Sequence, residues 1–418
     1  MAASATAERV LGRLDLDECI AMAQALVRVR SLTGDERAAQ LKVAELMRGV
    51  GLEVDVAEVD VQSLVATPGF PGIEVDRRES ALLVTGSTGP AGGRSLVLNG
   101  HIDVVPPGTA AWRRPPFGGD IEGGRLHGRG ACDMKSGLAV AIAAAGALAR
   151  SSGEVLHGRV LVQSVVGEED GGLGTFAAIE RGQRADAAIV LEPTRLRLIP
   201  AQAGALSFRL HVPGRAAHAA VRYRGVSALE KFELLHAALH HVEAELNRER
   251  HPLFARYEIP YPLSIGRLRA GEWSATVPDT LECEGRVGVP VGMPVEAVRA
   301  RVERALTDAA AADVWLREHP PRLEWVGGQF EPAEADVEGE PFRWLRAAHE
   351  RELGAPVELD GAPYGSDMRL FVNRAGMPAV LYGPGDIDLA HQVDESIDLE
   401  EVRVAARVVT AAAAEYLA

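Results

Sequence analysis

Residues 95–106 read SLVLNGHIDVVP, and this stretch sets the architecture. SLVLNG is a nearly continuous apolar run closed by turn-forming residues, the pattern of a strand buried on both faces, and it delivers His101 to the strand's end. Asp103 follows two residues later, so in extended chain its side chain shares a face with His101 and its carboxylate can accept the second imidazole N–H. Working outward, four further segments carry a carboxylate or a histidine in a distinctive setting. They are GRGACDMKSG (128–137) with Asp133, GEEDGG (167–172) with Glu168 and Glu169, VLEPT (190–194) with Glu192, and AHQVDE (390–395) with His391.

Five ligands of this type, His101, Asp133, Glu169, Glu192 and His391, are what a pair of zinc ions needs. The charges agree. Asp133, Glu169 and Glu192 contribute three negative charges, and a bridging hydroxide would make a fourth against two divalent cations. Glu168 is left over. Each pair alone recurs by chance in unrelated chains, where it is a surface group or a local hydrogen-bond partner.

The order and context of these segments resemble the metallopeptidase and deacylase family that includes acetylornithine deacetylase, succinyl-diaminopimelate desuccinylase, aminoacylase and glutamate carboxypeptidase. The resemblance implies that His101 and Glu192 end the coordination of one metal, Glu169 and His391 that of the other, and that Asp133 bridges them. It implies two divalent ions, zinc, with cobalt and manganese as alternatives that carboxylate and imidazole ligands also accept. Glu168 resembles the family's general base, which takes a proton from the attacking water and passes it to the departing nitrogen, and Asp103 stands behind His101. Cys132, with no neighbouring cysteine at metal-binding spacing, reads as a small buried residue. A serine hydrolase is the rival, but there is no G-x-S-x-G segment and Ser366-Asp367 lacks a histidine relay.

The apolar, alanine-rich run LAVAIAAAGALA after Asp133 predicts a buried helix. Beyond Glu192 the pattern changes: ALSFRLHV, VSALEKFELLHAALHHVEAEL, PLSIGRLRA, TLECEGRVGV, VEAVRARVERALTDAA and PRLEWV read as strand, helix, strand, strand, helix, strand. That is a split βαββαβ, ferredoxin-like unit over residues 200–331, inserted into a discontinuous α/β catalytic domain of 1–199 and 332–418 with a mainly parallel sheet. The resemblance makes the insert a lid and dimerisation domain, hence a homodimer, and makes His218 in GRAAHAA an oxyanion-stabilising residue acting in its own or the partner subunit. His236, His240 and His241 lie on an acidic helix and read as incidental.

Amino-acid-specific members of that family grip the substrate α-carboxylate with an Asn shortly before V-P and an Arg further on. Here Ala275 and Gly288 stand at those places, and Arg286, two residues earlier on the same strand face, is the candidate substitute. The expected substrate is therefore an N-acyl amine, acetylated or formylated, such as an N-formyl aminopyrimidine. A dipeptidase or carboxypeptidase is the alternative within the family, and a catalytically silent metal-binding relative the alternative outside it, which the retention of Glu168 opposes. Gly365, Ser366 and Arg369 in YGSDMR are candidate substrate contacts.

The 418-residue chain has net charge −15 and only three cysteines, Cys19, Cys132 and Cys283, which excludes a disulfide framework. No basic stripe suits nucleic acid, no run suits a membrane span, and MAASATAERV lacks the order of a signal peptide, so a cytoplasmic enzyme acting on small molecules is expected. GSTGPAGG (86–93) reads as a loop without the Lys-Ser/Thr of a phosphate-binding turn.

Overall fold

The computed structural model describes residues 5–75, 78, 80–88, 93–151 and 157–418. Four parallel strands lie side by side in the order Arg159–Val165, Ser95–His101, Ala187–Val190, Ala379–Leu381. Their side chains are buried almost throughout because helices cover both faces, which is why each reads as an unbroken apolar run. Antiparallel strands extend the sheet on both sides: Ser80–Ser87 and Glu53–Asp60 beyond Arg159–Val165, and Leu198–Gln202 beyond Ala379–Leu381. The sheet is thus parallel at its centre and antiparallel at its flanks. Gly86 and Ser87, expected in a loop, belong to Ser80–Ser87, and a Cβ on Gly86 would come within 2.9 Å of Leu52 and Met47. Residues 89–92 of that expected loop lie outside the described residues.

The predicted alanine-rich helix runs Ser136–Ala149 and is buried from Ser136 to Leu148. Its small residues permit close approach: a Cβ on Gly137 would stand 2.1 Å from the Leu191 carbonyl oxygen, and one on Gly146 2.7 Å from Val50 Cβ. The segment Ala131–Ala149 has the length and hydropathy of a bilayer span, but it is buried inside the protein from Ala131 to Leu148, as befits a core helix.

The chain divides into two compact units, one of residues 1–200, 335–360 and 366–418, the other of 201–334 and 361–365. In the second, the strands Leu263–Ala270, Thr280–Val289, Gly204–Pro213 and Arg322–Phe330 form an antiparallel sheet in that spatial order, with the helices Ala228–Leu246 and Val295–Ala312 between them in sequence. Alternate residues Leu206, Phe208, Leu210 and Val212 share one core with Phe232, Leu235 and Leu239 of one helix and Val298, Val302 and Leu306 of the other. The opposite face of the sheet is charged, with Arg209 Nη2 2.7 Å from Glu284 and His211 Nδ1 3.1 Å from Glu282. Residues 361–365, assigned from sequence to the catalytic part, fall in this second unit because their glycines admit close packing. A Cβ on Gly361 would stand 2.4 Å from the Phe254 ring, and one on Gly365 2.6 Å from Phe330 Cβ.

Candidate metal centre

Each of the four central parallel strands releases a segment of the cluster from its C-terminal end, where open α/β sheets place their ligands. His101 is the last residue of its strand, Glu168 and Glu169 follow Arg159–Val165, Glu192 follows Ala187–Val190, and the chain after Ala379–Leu381 turns through Ile387–Leu389 to His391. Asp133 comes from outside the sheet, in an extended conformation (φ −120°, ψ 99°) just before the helix Ser136–Ala149. Lys135 ties this segment down by donating from Nζ to the carbonyls of Leu26 (3.1 Å) and Val29 (2.8 Å).

Asp133 sits at the middle of the cluster. Its Oδ1 lies 3.0 Å from His101 Nε2, and its Oδ2 lies 3.4 Å from His391 Nε2. On the first side Glu192 Oε1 is 3.9 Å from His101 Nε2, and on the second Glu169 Oε1 is 3.1 Å from His391 Nε2. His101, Asp133 and Glu192 thus each place a donor atom within 4.8 Å of the others, as do Asp133, Glu169 and His391. The first trio is buried; in the second, the His391 side chain is 51% exposed, so this side opens to solvent.

The electrostatics describe a cluster with surplus negative charge. Burial foremost drives the carboxyls of Glu168, Glu169 and Glu192 upward. Burial alone would raise Asp133 too, but its hydrogen bonds to His101 and His391 outweigh that and hold it low. Burial opposes the charged form of both imidazoles, yet the surrounding carboxylates win, lifting His101 well above its usual value and His391 to about 10. Oxygen and imidazole donors arranged in two trios that share one carboxylate fit two divalent cations, whose charge offsets the carboxylates without protons. Glu168 belongs to neither trio, and among the described residues its Oε1 is one of several buried side-chain atoms with no hydrogen-bond partner.

Asp103 does not meet the expected partner. His101 Nδ1 lies 2.9 Å from the Asp103 main-chain carbonyl and 3.8 Å from its carboxylate. Strand pairing ends at His101, so the alternation that would align the two side chains does not continue. The carboxylate instead accepts the main-chain N–H groups of Glu168 (3.3 Å) and Glu169 (3.2 Å), and the Thr33 hydroxyl (3.2 Å), bracing the turn that carries both glutamates.

Ser366 and Arg369, expected at the substrate, are enclosed and bonded within the chain. Ser366 Oγ accepts the Met368 N–H at 3.2 Å, while Arg369 donates to the carbonyls of Ser366 (2.7 Å) and Gly171 (2.6 Å). Arg369 thereby meets the GEEDGG turn at Gly171, and Gly365 packs against Phe330. His218 and Arg286 belong to the second unit. His218 is exposed, and its Nδ1 accepts the Ala220 N–H at 3.1 Å at the start of the short helix Ala219–Arg224. Arg286 is exposed on Thr280–Val289. Gly288 has a steric reason: a Cβ there would stand 2.7 Å from Tyr261 Cα, so no arginine fits at that position.

Sequence reasoning passed over Arg129 and Glu395, a buried ion pair with Nη1 2.6 Å from Oε2. Both lie inside quoted segments, four residues from Asp133 and from His391 respectively, but their pairing is visible only in space.

The sequence profile of Peptidase family M20/M25/M40 matches residues 97–415. The N-formyl-4-amino-5-aminomethyl-2-methylpyrimidine deformylase of Halalkalibacterium halodurans is 32% identical over 336 residues, covering 74% of this chain and 76% of that protein. The succinyl-diaminopimelate desuccinylase of a Methylobacterium species is 34% identical over 232 residues, 53% of this chain and 54% of that protein. Among solved structures, a di-peptidase from Saccharomyces cerevisiae shares the fold with a TM-score of 0.77 at 15% identity, covering 98% of each chain.

Proposed function

Because the chain belongs to peptidase family M20/M25/M40, we propose that it is a dinuclear zinc enzyme that removes a formyl or other small acyl group from an amine. Membership makes it a metal-dependent amide hydrolase. The observation that carries the dinuclear reading is the double-facing carboxylate of Asp133, one oxygen toward His101 and the other toward His391.

In this reading His101, Asp133 and Glu192 hold one ion, and Asp133, Glu169 and His391 the other. Two such cations, when bound, polarise the amide carbonyl and acidify the attacking water. Glu168 takes the proton from that water and returns it to the leaving nitrogen, and the upward push on its carboxyl suits it to holding a proton between those two events. Asp103 keeps Glu168 in place through the main-chain bond described above. His218, of its own or the partner subunit, is assigned to the tetrahedral oxyanion, with Arg286 the candidate for an anionic substrate group.

The preference for an N-formyl amine over an N-acyl α-amino acid is supported by Ala275 and by the closed position at Gly288, and by similarity to the aminopyrimidine deformylase. A homodimer joined through the 201–334 unit and a cytoplasmic location complete the reading, and sedimentation velocity tests the first.

The deciding experiment measures amine release by the zinc-reconstituted protein from N-formyl, N-acetyl and N-succinyl amines and from dipeptides, with Glu168→Gln as control. Selective cleavage of N-formyl amines, lost in the control, is expected. Selective cleavage of dipeptides would replace the deacylase reading by a peptidase one, and no turnover despite bound zinc would favour a silent relative.

A further inference from the structure

Beside the ligand set, Arg129 and Glu395 form an ion pair whose side chains are 2% and 1% exposed. The Glu395 carboxylate is shared. While Oε2 pairs with Arg129, Oε1 accepts the main-chain N–H groups of Cys132 at 2.9 Å and Asp133 at 3.1 Å. A short strand pair brings the two segments together: Ser396 lies opposite His127, and the Gly128 N–H donates to the Glu395 carbonyl at 2.9 Å. Glu395 therefore starts from the segment that bears His391 and grips the segment that bears Asp133. Arg129 is held in turn over the Trp112 ring, 5.2 Å from its centroid.

We propose that Glu395 is a positioning residue for the metal centre: anchored by Arg129, it fixes the Asp133 main chain so that one carboxylate faces His101 and His391 at once. The proposal rests on the dinuclear reading above. The physical argument is directional. Asp133 is extended and precedes the helix, so neither the helix nor the central sheet bonds its N–H, and Glu395 supplies that acceptor. A rotation of this peptide would turn Asp133 away from one imidazole or the other. Only a carboxylate serves both roles, since a glutamine amide would present one oxygen and place its NH2 against Arg129 or a main-chain N–H.

The test uses metal-free full-length protein, titrated with zinc against a chromophoric chelator, in parallel with thermal unfolding of the same metal-free samples. Glu395→Gln and Glu395→Asp are expected to weaken zinc binding by roughly ten- to a hundredfold, the range for loss of a group that orients a ligand. Arg129→Lys, which keeps the charge beside Glu395, is expected to lose less. The aspartate variant matters if the glutamine variant fails to fold: it retains the ion but is one methylene too short to reach both N–H groups. Folded variants that melt lower yet bind zinc as the parent does would overturn the positioning role and leave a stabilising pair. Absence of zinc binding in the parent would instead overturn the dinuclear reading itself, a separate result.

Discussion

Replacing Asp103 should loosen the turn that carries Glu168 and Glu169 and leave His101 oriented. The carboxylate accepts two main-chain N–H groups, from Glu168 and Glu169, and the Thr33 hydroxyl, at 3.2–3.3 Å. Asp103→Ala leaves both N–H groups without that acceptor in a closed setting, at about 1–3 kcal/mol each, or roughly 2–6 kcal/mol together. Two effects favour the lower half of that range. The bonds are long, and the lost negative charge relieves Glu36 and Asp170, whose carboxyls burial, aided by Asp103, pushes up to about 7 and about 6. We therefore expect a loss of about 2–4 kcal/mol for alanine and about half of that for Asp103→Asn, which retains one acceptor oxygen. Calorimetry is the assay, because two compact units need not melt together and the transition containing the sheet can be followed by itself. Zinc affinity is the companion readout. The carbonyl that faces His101 Nδ1 survives every substitution at 103, so the ion held by His101, Asp133 and Glu192 should bind within several-fold of the parent, while the ion held by Glu169 on the loosened turn should bind more weakly. Unchanged stability accompanied by a ten- to hundredfold loss of zinc affinity would refute the reasoning and restore the carboxylate as the partner of His101.

Glu168→Gln should lower kcat about 10²- to 10⁴-fold with zinc content unchanged by elemental analysis, as loss of a proton-transfer group does; near-parental turnover would remove Glu168 from the reaction. Gly137→Ala brings a Cβ to 2.1 Å from the Leu191 carbonyl, next to Glu192, and should cost about 1–3 kcal/mol in urea unfolding, with weaker zinc binding; a neutral effect would mean that the helix can shift freely. All three thiols are buried, and burial pushes Cys19 up to about 12, Cys283 to about 11 and Cys132 well above 9. At pH 8 the thiolate fraction of Cys283 is then of order one in a thousand. A chromogenic disulfide reagent should find no fast thiol in the native protein and three after denaturation, with the native rate rising as pH rises; a fast native thiol would contradict the burial.

Local chemistry along the chain already carried the framework. An apolar run ending in a histidine or followed by a carboxylate is a buried strand that stops at the edge of the sheet, and this period is readable wherever hydrophobic side chains cover both faces. The alternation in ALSFRLHV and the helical spacing in the run that follows it likewise mark one inserted sheet with its helix. The candidate ligands were readable for the same reason, since each is tied to the end of its own element. What touches what across 30 to 260 residues of sequence was decided only by folding. Asp103 turned to the Glu168–Glu169 turn because the strand ended at His101, and Arg369 went inside, where it donates to the Gly171 carbonyl of the GEEDGG turn. Gly288 excludes a side chain because Tyr261 packs on it, and Glu395 meets Asp133 because two three-residue strands pair. Side-chain periodicity is a property of neighbours in sequence, whereas an acceptor for a particular N–H or the room for a particular Cβ is set by chain segments that meet only once the sheet has closed.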